Sequence, residues 1–264
     1  MSERLDVELA RRGLVESRAR AQAMILAGRV RVDGVVQSKA GTRVASTVTL
    51  QVEPDRDYVS RGGTKLAAGL DAFAWQVTGD DAIDLGASTG GFSDCLLRRG
   101  ASRVICVDVG YGQLHQRIRD DPRVVILERR NARTLVPADL PFAPNLFVAD
   151  LSFISLTLVL DAAFALLRSP WRAVLLVKPQ FEAGRDRVPR GGVIRDDDTR
   201  AEAIERVARY ALTLSAVPIG AVDSGAPGPA GNHEYLLAVV SADHTLAREH
   251  DRPDPAHLAR TALG

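Results

Sequence analysis

Two lysines and two carboxylates, Lys65, Asp150, Lys178 and Glu234, are placed along the chain where together they could take a proton from a weakly acidic hydroxyl. A lysine with a reference pKa of about 10.4 is mostly protonated at neutral pH, but burial beside another cation lowers it toward the working range of a base. Lys178 ends the apolar run AVLLVKP and Asp150 ends LFVAD. If both runs are strands, the two side chains stand at the carboxyl edge of a sheet, where open α/β folds bind their ligands. Lys65 belongs to a helix that precedes the sheet, and Glu234 opens the last apolar run. Each of the four taken alone reads equally well as a surface ion pair. As a set they could hold a hydroxyl in line for group transfer.

A second set surrounds a glycine-rich turn, Ile83-Asp84-Leu85-Gly86-Ala87-Ser88-Thr89-Gly90-Gly91-Phe92. A strand that breaks into such a turn and re-enters a helix brings backbone amides up to a ligand. Ser88 stands where a dinucleotide fingerprint has its second glycine, and Asp84 would repel a pyrophosphate. The amino group of a methionine moiety suits Asp84 better, so S-adenosylmethionine is the expected cofactor, cradled by Gly86, Ser88, Thr89, Gly90, Gly91 and Phe92. Asp108 ends the next apolar run, roughly 20 residues on, where an acidic side chain holds ribose hydroxyls. Asn131 follows the third run and could flank an adenine. A nicotinamide-dependent enzyme and a bare structural turn are the competing readings.

These residues need a sheet to carry them. The pattern predicts strands over 82–85, 104–109, 124–127, 146–150, 173–177, 217–222 and 235–240, with helices from Lys65 through Phe73 and over 92–99, 156–168 and 199–214. Alternation of that kind gives a doubly wound, mostly parallel sheet. Residues 180–198, charged and glycine-rich, could be a mobile flap or plain disorder. Phe153 and Phe181 flank Asp150 and Lys178; one of them could stack on an extruded base, although core packing is the commoner role of phenylalanine.

The first 50 residues read differently. Leu5, Leu9 and Leu14 mark one amphipathic helix, Ser17 can cap a second running to Ala27, and Asp33-Gly34 suits a tight hairpin turn. This segment holds nine Lys and Arg against five Asp and Glu. Arg4, Arg18, Arg20, Arg29 and Arg31 are the candidate phosphate contacts. The expected division is residues 1–52, a linker over 53–61, a catalytic domain over 62–242 and a tail over 243–264, either a surface helix or frayed.

Composition removes several classes. The net charge is +1, and 46% of residues are hydrophobic, enough for a core. The opening residues lack the apolar stretch of a signal peptide, so the expected location is cytoplasmic. The longest apolar run, 156–167, is broken by Asp161 and too short to span a bilayer. Two cysteines and five scattered histidines form neither a disulfide framework nor a metal-ligand spacing, so no metal is expected.

The segment RLDVELARRGLVESRARAQAMILAGRVRVDGVVQSKAG resembles the alpha-L RNA-binding module of a small-subunit ribosomal protein, pseudouridine synthases and a tyrosyl-tRNA synthetase. The string D-x-G-x-x-x-G-G-F is similar to the first motif of class I methyltransferases, and Lys65, Asp150, Lys178 and Glu234 match the Lys-Asp-Lys-Glu tetrad of FtsJ-type RNA ribose 2′-O-methyltransferases. With SRGGTKL, DVGYGQL, ADLSFISL, VKPQFE and GNHEY, the chain resembles the TlyA (hemolysin A) family throughout. That resemblance implies a Rossmann-like class I methyltransferase sheet, mostly parallel with an antiparallel last strand, behind a small α+β RNA-binding domain. It implies 2′-O-methylation of cytidine in small- or large-subunit ribosomal RNA, or both, linked to sensitivity to capreomycin-type antibiotics. By the same resemblance Lys178 is the base-like residue, Asp150 orients it, and Lys65 and Glu234 place the hydroxyl. The ribosomal subunits are the expected partners, and the oligomeric state is left open. A non-catalytic RNA-binding or ribosome-assembly factor and a membrane-lytic hemolysin are the alternatives.

Overall fold

The computed structural model describes residues 2–26, 28–52, 58–249 and 254–264, and its chain separates into two compact units, residues 1–56 and 57–264. The first unit runs β1 (Ser2–Arg4), α1 (Leu5–Arg11), α2 (Arg18–Leu26), β2 (Val30–Val32), β3 (Val35–Gln37), β4 (Arg43–Ala45) and β5 (Leu50–Val52). The Ser17 hydroxyl accepts from Arg20 N at 3.1 Å and so starts α2 as its capping role requires. The described helix ends at Leu26; Ala27 lies outside the described residues. β2 and β3 form the expected hairpin around Asp33-Gly34, and β5 covers the other edge of β2. Leu5, Leu9, Met24, Ile25, Val30 and Val44 close a small core. Leu14 does not join the helical stripe: α1 stops at Arg11, and Leu14, beyond the turn at Gly13, is exposed.

The second unit continues with α3 (Arg61–Ala72), β6 (Asp81–Leu85), α4 (Gly91–Arg98), β7 (Arg103–Asp108), α5 (Gln116–Arg119), β8 (Val124–Glu128), β9 (Leu146–Ala149), α6 (Leu160–Ala165), β10 (Arg172–Val177), α7 (Pro179–Glu182), α8 (Asp197–Thr213), β11 (Ala216–Asp223), β12 (Tyr235–Ser241), α9 (Thr245–Glu249) and α10 (Pro255–Leu263). Its seven strands lie in the order β11-β12-β10-β9-β6-β7-β8. Five are parallel, and β12 runs antiparallel to both β10 and β11. Both faces are buried, which is why the strands read as unbroken apolar runs. Ile83, Leu85, Phe147, Leu175 and Leu237 face α6, α8 and α10, whereas Ala82, Val104, Val148, Leu176 and Leu236 face α3 and α4.

Two expectations change and one open alternative resolves. The helix over 156–168 breaks into a 3-10 turn, Leu156–Leu158, and the short α6, because Val159 leaves helical geometry at φ −120°. Residues 180–198 are built into the unit: Asn232 accepts from Ile194 N at 2.9 Å and donates to Gly192 O at 2.8 Å, and Arg200 donates to Ile194 O. Of the two forms expected for the C-terminal segment it takes the surface helix: α10 packs on α8 and β11 with Ala259 and Ala262 in the main core. Within the expected linker, residues 53–57 lie outside the described residues, while Val59 N donates to Asp94 and Ser60 precedes α3 as its N-cap.

Candidate active site

Strand register gathers the chemistry. Leu85 and Ala149 are paired, as are Ala149 with Leu175 and Val177 with Tyr235. The residues one step beyond those pairs are Gly86, Asp150, Lys178 and Glu234, so all four stand along one edge of neighbouring strands. Lys65 joins them from α3, whose Gly69, one turn later, packs on Leu236 of β12.

The four charged residues form two ion pairs. Lys65 Nζ lies 2.5 Å from Glu234 Oε2, with only 7% and 2% of the side chains exposed. Lys178 Nζ lies 2.6 Å from Asp150 Oδ1 and donates to Ser152 Oγ at 2.8 Å. A buried pair of this kind repays its desolvation only with good geometry, so it is weak evidence for stability. One buried and one half-buried pair at a ligand-binding sheet edge have the composition of a catalytic centre.

A cavity of about 550 Å³ opens beside the glycine turn. Gly86, Ser88, Asp108, Asn131 and Asp150 of the expected residues line it, together with Val107, Val109 and Ile154. Apolar walls with a few converging polar groups suit a nucleoside carrying an amino acid. Gly86 has φ +84°, and a Cβ there would sit 2.6 Å from Asp150 O, so the turn must be bare at this position. Asp108 accepts from Ser88 N at 2.8 Å and Gly110 N at 2.7 Å, which fixes its carboxylate with lone pairs to spare for hydroxyl donors. Asn131 caps a 3-10 turn by accepting from Arg133 N.

The other expected cofactor residues are not among those lining the cavity. Gly90, at φ +89°, leaves room for Leu114 and Ile118; Gly91 packs on the start of α3; Phe92 is a core residue; Thr89 accepts from His115 N. Asp84 is wholly buried on the α3–α4 face of the sheet. Its Oδ2 accepts from Ser93 N at 3.0 Å and Ser93 Oγ at 2.6 Å, while its Oδ1 has no hydrogen-bond partner among the described residues. Burial, with lesser contributions from Asp150 and Asp108, pushes the Asp84 carboxyl up to about 7. An orphaned buried oxygen beneath the turn fits a site that receives a cationic ligand.

The loop after β9 adds Ser152, which the sequence did not point to, beside the Phe153 that it did. Ser152 touches Lys178, and Phe153 is 91% exposed at φ +65°, its ring 5.3 Å from that of Phe181. Ser88 also has positive φ. Each such non-glycine conformation costs about 1–3 kcal/mol and persists where its surroundings over-determine it. Arg130 and Arg133 line the cavity, and neither has an ion-pair partner among the described residues. Adjacency to Asp150 and Asn131 was the signal that could have found them.

In the first unit, Asp6 and Glu8 are turned inward and hold arginines outward. Asp6 accepts from Arg4, Arg18 and Gln22, and Glu8 from Arg11 and Arg12. These cations hold the Asp6 carboxyl far below the usual carboxylate range and lower that of Glu8 to about 2. Arg31 donates to Gly34 O, and Arg20 and Arg29 make contacts of their own. Arg4 and Arg18 thus share one anchor, and Arg11 adds an exposed guanidinium beyond the expected set, while Arg12 is tied inward to Val48 O and Ser46 O. Among the described residues no helix is long and apolar enough to cross a membrane, and no cluster of His, Cys, Asp and Glu is placed to hold a metal.

Residues 58–240 match the FtsJ-like methyltransferase model and residues 3–49 the S4 domain model. The chain is 50% identical over 236 residues to the 16S/23S rRNA (cytidine-2′-O)-methyltransferase TlyA of Mycobacterium tuberculosis, covering 89% of this chain and 88% of that protein. It is 38% identical over 238 residues to Hemolysin A of Brachyspira hyodysenteriae, covering 90% and 99%. A solved hemolysin-named structure from Streptococcus thermophilus superposes with a TM-score of 0.74 at 34% identity, covering 99% of this chain and 96% of that one.

Proposed function

The chain belongs to the FtsJ-like methyltransferase family, in the TlyA group that carries an S4 domain ahead of the catalytic one, and from that premise we propose that it methylates the 2′ oxygen of cytidine in ribosomal RNA, using S-adenosylmethionine. The observation that carries this reading is the pairing of Lys65 with Glu234 and of Lys178 with Asp150 along the sheet edge next to the Gly86 cavity.

The cofactor, when bound, supplies an electrophilic methyl group. Gly86, Ser88, Asp108 and Asn131 would hold it against the turn, and Asp84 would offer its unpartnered oxygen to a cationic ligand from beneath. Lys178, as the free amine, takes the proton at the 2′ oxygen, and Asp150 and Ser152 then hold the ammonium group that results. The Lys65–Glu234 pair holds the sugar in line. Phe153, exposed beside Lys178, offers a face on which the extruded base stacks. Arg4, Arg18, Arg20, Arg29 and Arg31 of residues 1–52 bind the RNA backbone, and residues 62–242 carry the chemistry.

Purified protein incubated with labelled S-adenosylmethionine and separate ribosomal subunits tests the proposal. Modified riboses are mapped by reverse-transcription stops at low nucleotide concentration. Label on a cytidine ribose of either subunit RNA supports the reading, and no transfer to either overturns it. Lys178→Ala separates it from a non-catalytic assembly factor, because only an enzyme loses transfer while keeping RNA binding.

A further inference from the structure

Glu182 is a buried carboxylate that the proposed reaction leaves without a role. It is 2% exposed, and among the described residues no cation pairs with its carboxylate; Arg206 reaches only its main-chain oxygen, at 2.9 Å. Burial pushes the Glu182 carboxyl up from its ordinary range. A group so expensive to bury is usually held for what it contacts. Both of its oxygens grip one segment: Oε2 accepts from Ser155 Oγ at 2.5 Å, and Oε1 from Leu156 N at 2.7 Å.

That segment is the far end of the loop bearing Asp150, Ser152 and Phe153. Its near end is held by Lys178, which contacts Asp150 and Ser152 and lies one helical turn before Glu182 on the strand-to-α7 connection. Between the two anchors the Phe153 and Phe181 rings meet. The loop is therefore fastened to the β10–α7 segment at three successive points, and the outermost is the most deeply buried.

We infer that Glu182 is a positioning residue whose clamp on Ser155 and Leu156 keeps Asp150 and Ser152 on Lys178 and Phe153 in its left-handed backbone conformation. The effect on turnover rests on the methyltransferase reading; the effect on the loop does not. Hydrogen-bond geometry is what Glu182 supplies. A glutamine can still accept from Leu156 N and donate to Ser155 Oγ, whereas a methionine of similar length can do neither.

Full-length wild type, Glu182→Gln and Glu182→Met are compared by amide hydrogen exchange over 151–156, by cofactor affinity, and by kcat and KM on ribosomal RNA. Glu182→Met, which leaves the Leu156 amide and the Ser155 hydroxyl without their acceptor, should still fold and should exchange about tenfold faster in this loop. Its kcat should fall about 10- to 100-fold with cofactor Kd and RNA KM within about twofold. Glu182→Gln should restore both. A Glu182→Met protein with wild-type exchange and kcat, or a Glu182→Gln protein as impaired as Glu182→Met, overturns the inference. A loosened loop in Glu182→Met alongside a wild type that methylates no ribosomal RNA would remove the methylation reading and leave the clamp standing.

Discussion

Lys65 Nζ and Glu234 Oε2 lie 2.5 Å apart although 169 positions separate the two residues in the chain. The contact is buried, so its partners cannot be exchanged for water. Replacing Glu234 by alanine strands an ammonium group in the interior and should destabilise the fold by about 3–5 kcal/mol. The double variant Lys65→Met/Glu234→Met should recover most of that loss in urea unfolding without recovering methyl transfer. Recovery of transfer would make the pair a structural device only.

Lys178→Ala is expected to lower transfer by about 10²–10⁴-fold while S-adenosylmethionine and RNA affinities stay within about twofold. Single-turnover kinetics and separate binding titrations check this. A variant that loses RNA affinity in proportion to turnover would place Lys178 in substrate capture.

Asp84 gives a pH signature. Its carboxyl is raised from an ordinary 3.8 to about 7, chiefly by burial. Between those values the folded chain keeps a proton that the unfolded chain releases. The stability it contributes is therefore full below pH 3.8 and is lost as the pH rises to about 7. The loss amounts to roughly 4 kcal/mol at about 1.36 kcal/mol per pKa unit. Asp84→Asn removes this titration, so the wild-type minus variant difference should fall across that window in denaturant melts. A flat difference curve would show that Asp84 is ionised throughout.

Arg18, exposed and steered by Asp6, is a phosphate contact in the proposed reading. Arg18→Ala should weaken binding to unrelated RNAs alike and reduce the slope of log K against log salt by about 1. An unchanged slope would remove it from the interface.

Phe153→Ala should leave thermal stability within about 0.5 kcal/mol, because the ring is 91% exposed. If the ring carries the extruded base, kcat/KM for RNA falls by the equivalent of about 1–3 kcal/mol. Full activity in the variant would leave the exposed ring unexplained.

Much of the sheet was legible because burial on both faces makes AVLLV and LFVA read as unbroken apolar runs. Lys178 and Asp150 could be placed at its edge for the same reason. What lay beyond reach depended on tertiary pairing. Asp84, read as a cofactor residue from its place before the turn, also spends one oxygen on Ser93 of α4, a partner that strand parity supplies and no local pattern reveals. The helix expected over 156–168 starts as a 3-10 turn capped by Ser155 and is broken at Val159, where the backbone leaves helical geometry. Asn232 and Glu182 went unnoticed because a buried polar clamp has no sequence period. α10 reads as a charged tail until α8 supplies the surface that covers Ala259 and Ala262.

The bare Cα of Gly86 rests against the main chain of Asp150, with Leu151 Cδ2 only 3.0 Å from where a methyl would go. Donor cradle and acceptor machinery thus abut with no side chain between them to absorb a shift. Anyone reshaping this enzyme for a bulkier sulfonium analogue would find residue 86 closed to substitution, and would have to make room at Leu151 instead, where trimming a branched tip leaves both backbones where they are.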